Sequence, residues 1–376
     1  MRIQSVTLHR LQLPMQEPFV TSFGKEEDKD VILVELTTAS GATGWAECTA
    51  STAPLYSEET NDSAWAVMTN FLIPVLWSLD LDTPADLTEV RQAMRPFRGN
   101  RMAKAALEMA VWDAFAAERA VPLHQLLGGH RTKIPVGISV GIQPDVSALL
   151  RKIEGYLNQG FRRIKVKVKP GWDVDVLRAI RGAFGDIPLM ADANSAYSLD
   201  DIEHLRRFDE YELMMIEQPL ANDDIIDHAR LQEQLTTAIC LDESIHSAAD
   251  ARKAIALGAC RIINLKLGRI GGFAEALDLH RVCTVNHVDL WCGGMLETGI
   301  GRLHNVAVTA LPGFTLPGDT APSGRYFAQD LIEPAVSFDR PGYLAVEPLA
   351  GVAQRVQRDR VEKWSVKRNQ VARPKD

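Results

Sequence analysis

Residues 134–316 consist of short β-rich runs that alternate with helical stretches, and this alternation constrains the fold more than any other feature. Strands separated by single helices form parallel βαβ units, and about eight such units in succession close into a barrel. The β-rich runs are 135–140, 163–168, 188–192, 213–217, 238–242, 261–266, 288–292 and, as a weak eighth, 314–316. The sequence therefore predicts an α/β fold built on a barrel.

The N-terminal third of the chain carries a different pattern. Alternation typical of strands at 6–9 and 31–36 flanks a polar, glycine-containing stretch at 21–28, which indicates an antiparallel hairpin with its loop there. Helical periodicity follows at 60–76 and 103–117. We therefore expect three parts, namely an α+β capping domain at 1–125, the barrel at 126–325, and a segment at 326–376 that returns to the capping domain.

Composition excludes several functional classes. The net charge of -8 argues against a partner with a phosphate backbone, such as nucleic acid. No run approaches the roughly 18 apolar residues of a membrane helix, and the N-terminus lacks the apolar core of a secretory signal. We therefore expect a cytoplasmic protein without a membrane partner. The 5 cysteines are scattered without C-x-x-C spacing, which indicates reduced thiols and neither disulfides nor a zinc site.

Carboxylates stand where three successive β-rich runs end. Asp192, Glu217 and Asp242 recur at an interval of about 25 residues, the length of one βα unit, so each should lie at the C-terminal mouth of the barrel. Three adjacent carboxylates would raise each other's pKa unless a cation neutralised them. Ligand sets made only of oxygen favour Mg²⁺, with Mn²⁺ tolerated, over zinc.

Lysines are expected to face these carboxylates. Lys165, Lys167 and Lys169 share one face of a strand, and Lys266 ends a strand one βα unit after Asp242. The second and sixth strands of an eight-stranded ring lie opposite each other, so a substrate between them would have an ammonium on each side. A neighbouring cation lowers the pKa of a lysine toward the range of a general base, which gives Lys165 a tuning role behind Lys167.

Structural alternatives exist for each of these patterns. A carboxylate at a strand end is often the N-cap of the next helix, and a strand rich in lysine is often a solvated edge strand. Three carboxylates in register with strand-end lysines favour the metal site over both. The glycine-rich stretch 293–301 lacks the spacing of a phosphate-binding loop, which leaves a loop near the substrate or tight packing.

Long strings in the chain resemble one enzyme family. They are the junction PLHQLLGG at 122–129, the Lys165-x-Lys167 strand, KVKPGWD at 167–173, DANSAY at 192–197 and WCGGMLETGIG at 291–301. With the three carboxylates and Lys266, they resemble the muconate lactonizing enzyme subgroup of the enolase superfamily. Within that subgroup they are similar to o-succinylbenzoate synthases and N-succinylamino acid racemases.

The resemblance implies a modified (β/α)₇β barrel of the TIM type, with assigned catalytic and metal-binding residues. Lys167 would be the acid/base that takes the substrate's α-proton, and Lys266 would stabilise the enolate by a cation–π contact or serve as a second acid/base. Asp192, Glu217 and Asp242 would bind Mg²⁺. The substrate would be a small carboxylate with a succinyl arm, and family members are often homo-oligomers.

Substrate-contacting residues are also expected from the resemblance. Loops at 19–23 and 51–56 should close over the distal succinyl group. Arg269 resembles an arginine of racemase-capable members, and the single aspartate at 318–321 counts against dipeptide epimerase activity. The expected substrate-binding residues are Phe19, Phe23, Ser139, Asn194, Arg269 and Met295.

These features give three hypotheses for function. The first is o-succinylbenzoate synthase, a lyase of menaquinone biosynthesis, and the second is N-succinylamino acid racemase, with both activities possible in one site. The third is a catalytically dead barrel that serves as a binding or scaffold protein. Such a protein would have lost a lysine or a carboxylate of the site, and none is lost in this chain.

Overall fold

The computed structural model describes residues 1–21 and 24–375. Its strands, in chain order, are β1 (Ile3–Val20), β2 (Lys25–Thr38), β3 (Thr43–Cys48), β4 (Lys133–Pro135), β5 (Ile138–Val140), β6 (Ile164–Lys167), β7 (Leu189–Asp192), β8 (Ile216–Glu217), β9 (Ile239–Leu241), β10 (Ile262–Leu265), β11 (Asp289–Cys292), β12 (Tyr343–Ala345) and β13 (Ser365–Ala372).

The helices alternate with the strands of the barrel. They are α1 (Asn61–Val67), α2 (Ile73–Leu76), α3 (Leu87–Met94), α4 (Arg101–Arg119), α5 (Leu123–Leu126), α6 (Val146–Asn158), α7 (Val174–Phe184), α8 (Ile202–Leu205), α9 (Ile226–Gln232), α10 (Ala248–Leu257), α11 (Leu267–Ile270), α12 (Phe273–Val285), α13 (Gly299–Thr309) and α14 (Arg358–Trp364). A π-helical turn, Met68–Leu72, joins α1 to α2. Within residues 1–21 and 24–375, no helix has the length and apolar character needed to cross a bilayer.

A curled parallel sheet forms the barrel. Its strand order is β11-β10-β9-β8-β7-β6-β5, so strands that follow each other in the chain are neighbours in space. The predicted eighth strand at 314–316 is wrong as a continuous strand. Single bridges of Phe314 to Leu290 and of Gly318 to Val136 close the ring instead. The prolines at 312 and 317 that bracket this segment have no N–H to donate to a longer ladder.

Helices pack on the outside of this sheet by one apolar face each. The first of them, α6, begins after Asp145, whose carboxylate accepts a hydrogen bond from the Ala148 backbone N at 2.7 Å. Leu149 and Ile153, one helical turn apart, are its buried residues. The predicted alternation of strands and helices is confirmed from β5 to α13.

An antiparallel sheet precedes the barrel in the chain, with strand order β13-β1-β2-β3. The predicted hairpin is confirmed, because β1 pairs with β2 over most of its length. The predicted loop at 21–28 is too long, since β2 already begins at Lys25 and pairs it with Val20. The C-terminal strand β13 pairs with β1 from Ser5 to Leu11, so the end of the chain lies against the N-terminal sheet.

Buried carboxylates of the N-terminal part cap two helices of the barrel. Glu108 on α4 accepts hydrogen bonds from the backbone N–H groups of Phe273 (2.8 Å) and Ala274 (2.9 Å), where α12 begins. Glu47 on β3 accepts from the backbone N (3.0 Å) and hydroxyl (2.8 Å) of Thr298, just before α13. Burial raises the pKa of each carboxyl to about 7. Both contacts join the N-terminal part to the barrel.

Replacing Glu108 with glutamine is expected to flatten the pH dependence of stability. The pKa of Glu108 rises from 4.5 in the unfolded chain to about 7 in the fold, so the folded state binds the proton more tightly. Stability therefore falls as pH rises from about 4.5 to about 7, by about 1–3 kcal/mol for this group. We expect the Tm of the wild type to fall more between pH 5 and pH 8 than that of Glu108→Gln. Glu118→Gln on the same helix is the control, and equal slopes in all three proteins would refute the assignment.

Candidate active site

The predicted carboxylates lie side by side at the C-terminal ends of the barrel strands. Lys167 of β6 is paired in register with Asp192 of β7, and Asp192 is paired with Glu217 of β8. Asp242 follows directly after β9, and Lys266 directly after β10. All five side chains are buried, and a parallel sheet places its strand ends at one edge, so they share one mouth of the barrel.

Ammonium groups bridge these carboxylates. Lys165 Nζ lies 2.9 Å from Glu217 Oε2 and 3.1 Å from Asp192 Oδ2. Lys167 Nζ donates to Asp192 Oδ2 and to Asn194 Oδ1, each at 2.6 Å. These contacts hold both lysines of β6 against the acids of β7 and β8.

On the other side of the site, Lys266 contacts the third carboxylate. Its Nζ lies 2.8 Å from Asp242 Oδ2, and it also sits 4.5 Å from the centre of the Tyr56 ring. Lys167 and Lys266 both line one cavity, as predicted for a substrate flanked by two ammonium groups.

The donor chemistry of the site fits a hard divalent cation. Within the described ranges 1–21 and 24–375, no three His, Cys, Asp or Glu side chains stand in the geometry of an ion site, because lysine ammonium groups lie between the carboxylates. The donors themselves are buried oxygens. Glu243, whose Oε1 accepts from Asn194 Nδ2 at 2.9 Å, has its Oε2 buried without a hydrogen bond to any described residue. An unsatisfied carboxylate oxygen in an all-oxygen cluster suits Mg²⁺.

The carboxylates crowd one another electrostatically. Burial raises the pKa of Glu217, and the charge of Asp192 raises it further. Glu243 behaves in the same way, since burial and then Asp192 raise its pKa. Such crowding is the condition under which a divalent cation stabilises a cluster of acids.

Lys165 differs from the sequence-based expectation. Burial alone would lower its pKa, but the carboxylates of Asp319, Glu217 and Asp192 outweigh burial and hold the pKa above its usual range. Lys165 is therefore a fixed cation among three acids. The expectation for Lys169 is wrong, because β6 ends at Lys167 and the side chain of Lys169 is exposed.

A cavity of about 150 Å³ lies above the lysines. Four of the predicted substrate-binding residues line it, namely Phe19, Ser139, Asn194 and Met295. The predicted loop at 51–56 contributes five lining residues, which are Ser51, Thr52, Ala53, Leu55 and Tyr56. Phe23, the other residue expected from the first loop, lies outside the described residues.

Arg269 sits behind the cavity and not in its wall. It is 2% exposed and forms an ion pair with Asp242. Its Nε donates to the Ile245 backbone O at 2.8 Å, and its Nη1 donates to the Tyr56 hydroxyl at 3.1 Å. Arg269 therefore contacts the site through Asp242 and Tyr56, which contact Lys266 in turn.

The structure adds a carboxylate that sequence reasoning assigned no role at the site. Asp319, in the segment that closes the barrel, lies 2.8 Å from Lys165 Nζ and 2.8 Å from Arg163 Nη1. Burial opposes its charge, but Arg163 and Lys165 together hold the pKa of Asp319 well below its usual range. Its position after the weak eighth run was the available signal, because chain ends of parallel strands meet at the same edge.

The glycine-rich stretch 293–301 takes both of the roles that the sequence left open. Gly294, Met295 and Leu296 line the cavity. Gly293 is a position of tight packing, since a Cβ there would lie 2.3 Å from Asn264 Oδ1 and 2.8 Å from Lys266 Cε.

A further lysine, on the hairpin, reaches the cavity. Lys29 of β2 lines the cavity, is 3% exposed, and donates from Nζ to the Met295 backbone O at 3.0 Å. No carboxylate among residues 1–21 and 24–375 forms an ion pair with it, although its charge pulls the pKa of Glu47 downward against burial. Sequence reasoning missed Lys29 because a lysine on an alternating strand reads as solvent-exposed.

Two family models match the chain. The N-terminal domain of the mandelate racemase / muconate lactonizing enzyme family matches residues 3–128. The enolase C-terminal domain-like family matches residues 148–360. Together the two models cover most of the chain.

Similar proteins include enzymes of two activities. The o-succinylbenzoate synthase of Geobacillus kaustophilus is 53% identical over 363 residues, which are 96% of this chain and 96% of that protein. The N-succinylamino acid racemase of Thermus thermophilus is 46% identical over 363 residues, 96% of this chain and 97% of that protein.

Solved structures agree with the fold. An enolase superfamily member from Listeria innocua superposes with a TM-score of 0.94 at 40% identity and covers 100% of both chains. A dipeptide epimerase from Enterococcus faecalis, solved with Mg and the dipeptide L-Leu-L-Tyr, superposes with a TM-score of 0.85 at 26% identity, over 94% of this chain and 99% of that chain. Dependence on magnesium is typical of this superfamily.

Proposed function

Because the chain belongs to the mandelate racemase/muconate lactonizing enzyme family of the enolase superfamily, we propose that it is an o-succinylbenzoate synthase. The substrate would be a hydroxycyclohexadiene carboxylate that bears a succinyl arm, and the product would be 2-succinylbenzoate. The observation that carries the proposal is one cavity lined by both Lys167 and Lys266, with Asp192, Glu217 and Asp242 directly beneath.

Lys167 is the proposed proton acceptor. In the reaction, the C–H bond at the α-carbon breaks and its proton moves to Lys167 Nζ, while the hydroxyl leaves the neighbouring carbon as water and a ring double bond forms. Aromatisation favours the product. Asn194 and Asp192, each 2.6 Å from Lys167 Nζ, fix the direction of the amine toward the substrate. Lys266 would face the developing negative charge from the other side as a cation.

Asp192, Glu217 and Asp242 are the proposed ligands of Mg²⁺, with Mn²⁺ as a substitute. When bound, the ion supplies positive charge next to the substrate carboxylate. The lysines that contact these acids would then be released toward the cavity that they already line. Arg269 and Lys165, which contact the acids from behind, would keep the carboxylates in place.

Racemisation of N-succinylamino acids is the second candidate function. It begins with the same removal of an α-proton and differs only in needing a proton donor on the opposite face. Lys266 supports it, because its Nζ lines the cavity on the side away from Lys167. The relative named as a racemase, at 46% identity, supports it as well.

Assaying the purified protein with both substrates in the presence of Mg²⁺ separates the two functions. The proposal expects conversion of the cyclohexadiene substrate to 2-succinylbenzoate, with or without racemisation of N-succinylamino acids. Undetectable dehydration alongside fast racemisation would make the racemase the main activity. Retained turnover in excess chelator would contradict the metal assignment.

Replacing Lys29 with methionine is expected to weaken recognition of the succinyl arm. A buried cation that has no ion pair with a described carboxylate is a suitable partner for the substrate's distal carboxylate. For racemisation of an N-succinylamino acid we expect KM to rise about tenfold or more with a smaller change in kcat. The N-acetyl analogue lacks the distal carboxylate, so its KM should not change.

The control for this variant lies on the same strand. Lys25→Met removes a lysine that also lines the cavity but is more exposed and forms an ion pair with Glu27 at 2.5 Å. We expect it to leave both substrates nearly unaffected. Equal losses for the N-succinyl and N-acetyl substrates in Lys29→Met would show that Lys29 only supports the fold of the hairpin.

The division of the chain also remains a proposal. We propose a capping domain at 1–125, a barrel at 126–325 and a C-terminal segment at 326–376, and the pairing of β13 with β1 supports grouping that segment with the capping domain. We further propose a cytoplasmic homo-oligomer, supported by buried free thiols at all five cysteines.

A further inference from the structure

A second cavity, of about 540 Å³, opens between the N-terminal part and the barrel. One wall comes from α3 and the start of α4, and the other comes from the segments that begin α10 and α12. We call it the interdomain basic cleft, and it is defined by its cationic side chains Arg91, Arg95, Arg101, Lys104 and Arg252. Among the described residues, it shares no lining side chain with the cavity above the lysines.

Positive charge in the cleft exceeds negative charge. Its two acidic side chains, Glu275 and Asp278, both accept hydrogen bonds from Arg91 Nη1, at 2.9 Å and 2.8 Å. That pairing leaves the other cations of the cleft without a carboxylate in its lining. In the part of the chain that the structure describes, the side chains of Arg95, Arg101 and Arg252 form no hydrogen bond or ion pair.

The acids just outside the lining do not restore the balance. Asp250 is engaged by the Ser247 hydroxyl at 2.8 Å and by Lys253 Nζ at 3.7 Å. Glu58 contributes a charge only near His246, at one end of the cleft. A cluster of unneutralised cations is unusual in a chain whose net charge is -8.

The cations also affect one another. Burial lowers the pKa of Lys104, and the charge of Arg101 lowers it further. At the barrel wall, burial and then Arg101 lower the pKa of His246. Repulsion of this kind would be relieved by an anion placed between the two walls.

We propose that the interdomain basic cleft binds a small molecule that carries adjacent phosphate groups. Arginine and lysine are the side chains that recognise phosphate oxygens, and several of them converge here from both walls. The volume lies in the range of sites for cofactor-sized ligands, about 300–1,000 Å³. A ligand there contacts both the N-terminal part and the barrel, so it stabilises their association.

Isothermal titration calorimetry of the full chain with excess Mg²⁺ tests the proposal, with tripolyphosphate and ADP as probes. We expect saturable binding that weakens as salt is raised, because charge pairs are screened. The double variant Arg95→Gln/Arg252→Gln and the single variant Arg101→Gln should each weaken binding about tenfold or more. Arg98→Gln, an exposed arginine that does not line the cleft, should bind like the wild type.

The two probes separate the sources of phosphate chemistry. Binding of both shows that phosphate groups suffice, and binding of ADP alone shows that the nucleoside is recognised as well; either result supports the cleft. Absence of binding by both probes, equal weakening in Arg98→Gln, or displacement of the probe by 2-succinylbenzoate would overturn the proposal. So would a change of mass in light scattering of the double variant without probe binding, which would mean that a second copy of the chain covers the cleft.

Discussion

Replacing Lys167 with alanine is expected to abolish both dehydration and racemisation, by about 10³-fold or more in kcat. The side chain lines the cavity, and its Nζ is held by Asp192 and Asn194 at 2.6 Å each. No other described amine is placed to take the same proton from that side, because Lys165 is enclosed by three carboxylates. Exchange of the α-proton in D₂O, followed by NMR, measures the lost step directly.

Lys169→Ala is the matched control for this variant. Lys169 lies two residues further along the chain and is exposed, so its removal deletes the same charge without touching the cavity. We expect it to keep wild-type rates. If Lys167→Ala folded with an unchanged Tm and still exchanged the α-proton at the wild-type rate, Lys167 would not be the base.

Replacing Lys266 with alanine is expected to stop racemisation by removing the proton donor on the second face. The α-proton can still leave to Lys167, so in D₂O one enantiomer should take up deuterium without being inverted. Dehydration should fall as well, because Lys266 supplies a cation next to the developing charge. The size of that fall measures the electrostatic role separately from the proton-transfer role.

An exposed lysine provides the comparison for Lys266. Lys253, on α10, forms only a surface ion pair with Asp250, so Lys253→Ala should leave both reactions intact. Full racemase turnover in Lys266→Ala would refute the assignment of two bases. Loss of dehydration with normal racemisation would also contradict it.

The layout of the site could be predicted from the sequence because a parallel barrel turns spacing into position. Each βα unit returns the chain to the same edge of the sheet, so Asp192 and Glu217 had to become neighbours in register. The same logic placed Lys266 across from Lys167. Local alternation was equally informative for the hairpin of β1 and β2.

Features that depend on contacts distant in sequence could not be predicted. The charge state of Lys165 is set by Asp319, 154 residues later, and by Glu217, so the lysine pattern alone suggested the wrong neighbours. Lys29 and Arg269 were misjudged for the same reason, since each one's role follows from a partner in another segment. The eighth strand failed because two prolines limit its ladder.

A crystal structure of the protein with Mg²⁺ and 2-succinylbenzoate tests the central claim most directly. The account predicts an ion ligated by Asp192, Glu217 and Asp242, with the amines of Lys167 and Lys266 on opposite faces of the ligand. An ion held elsewhere, or both lysines still paired with the acids while the ligand is bound, would contradict it.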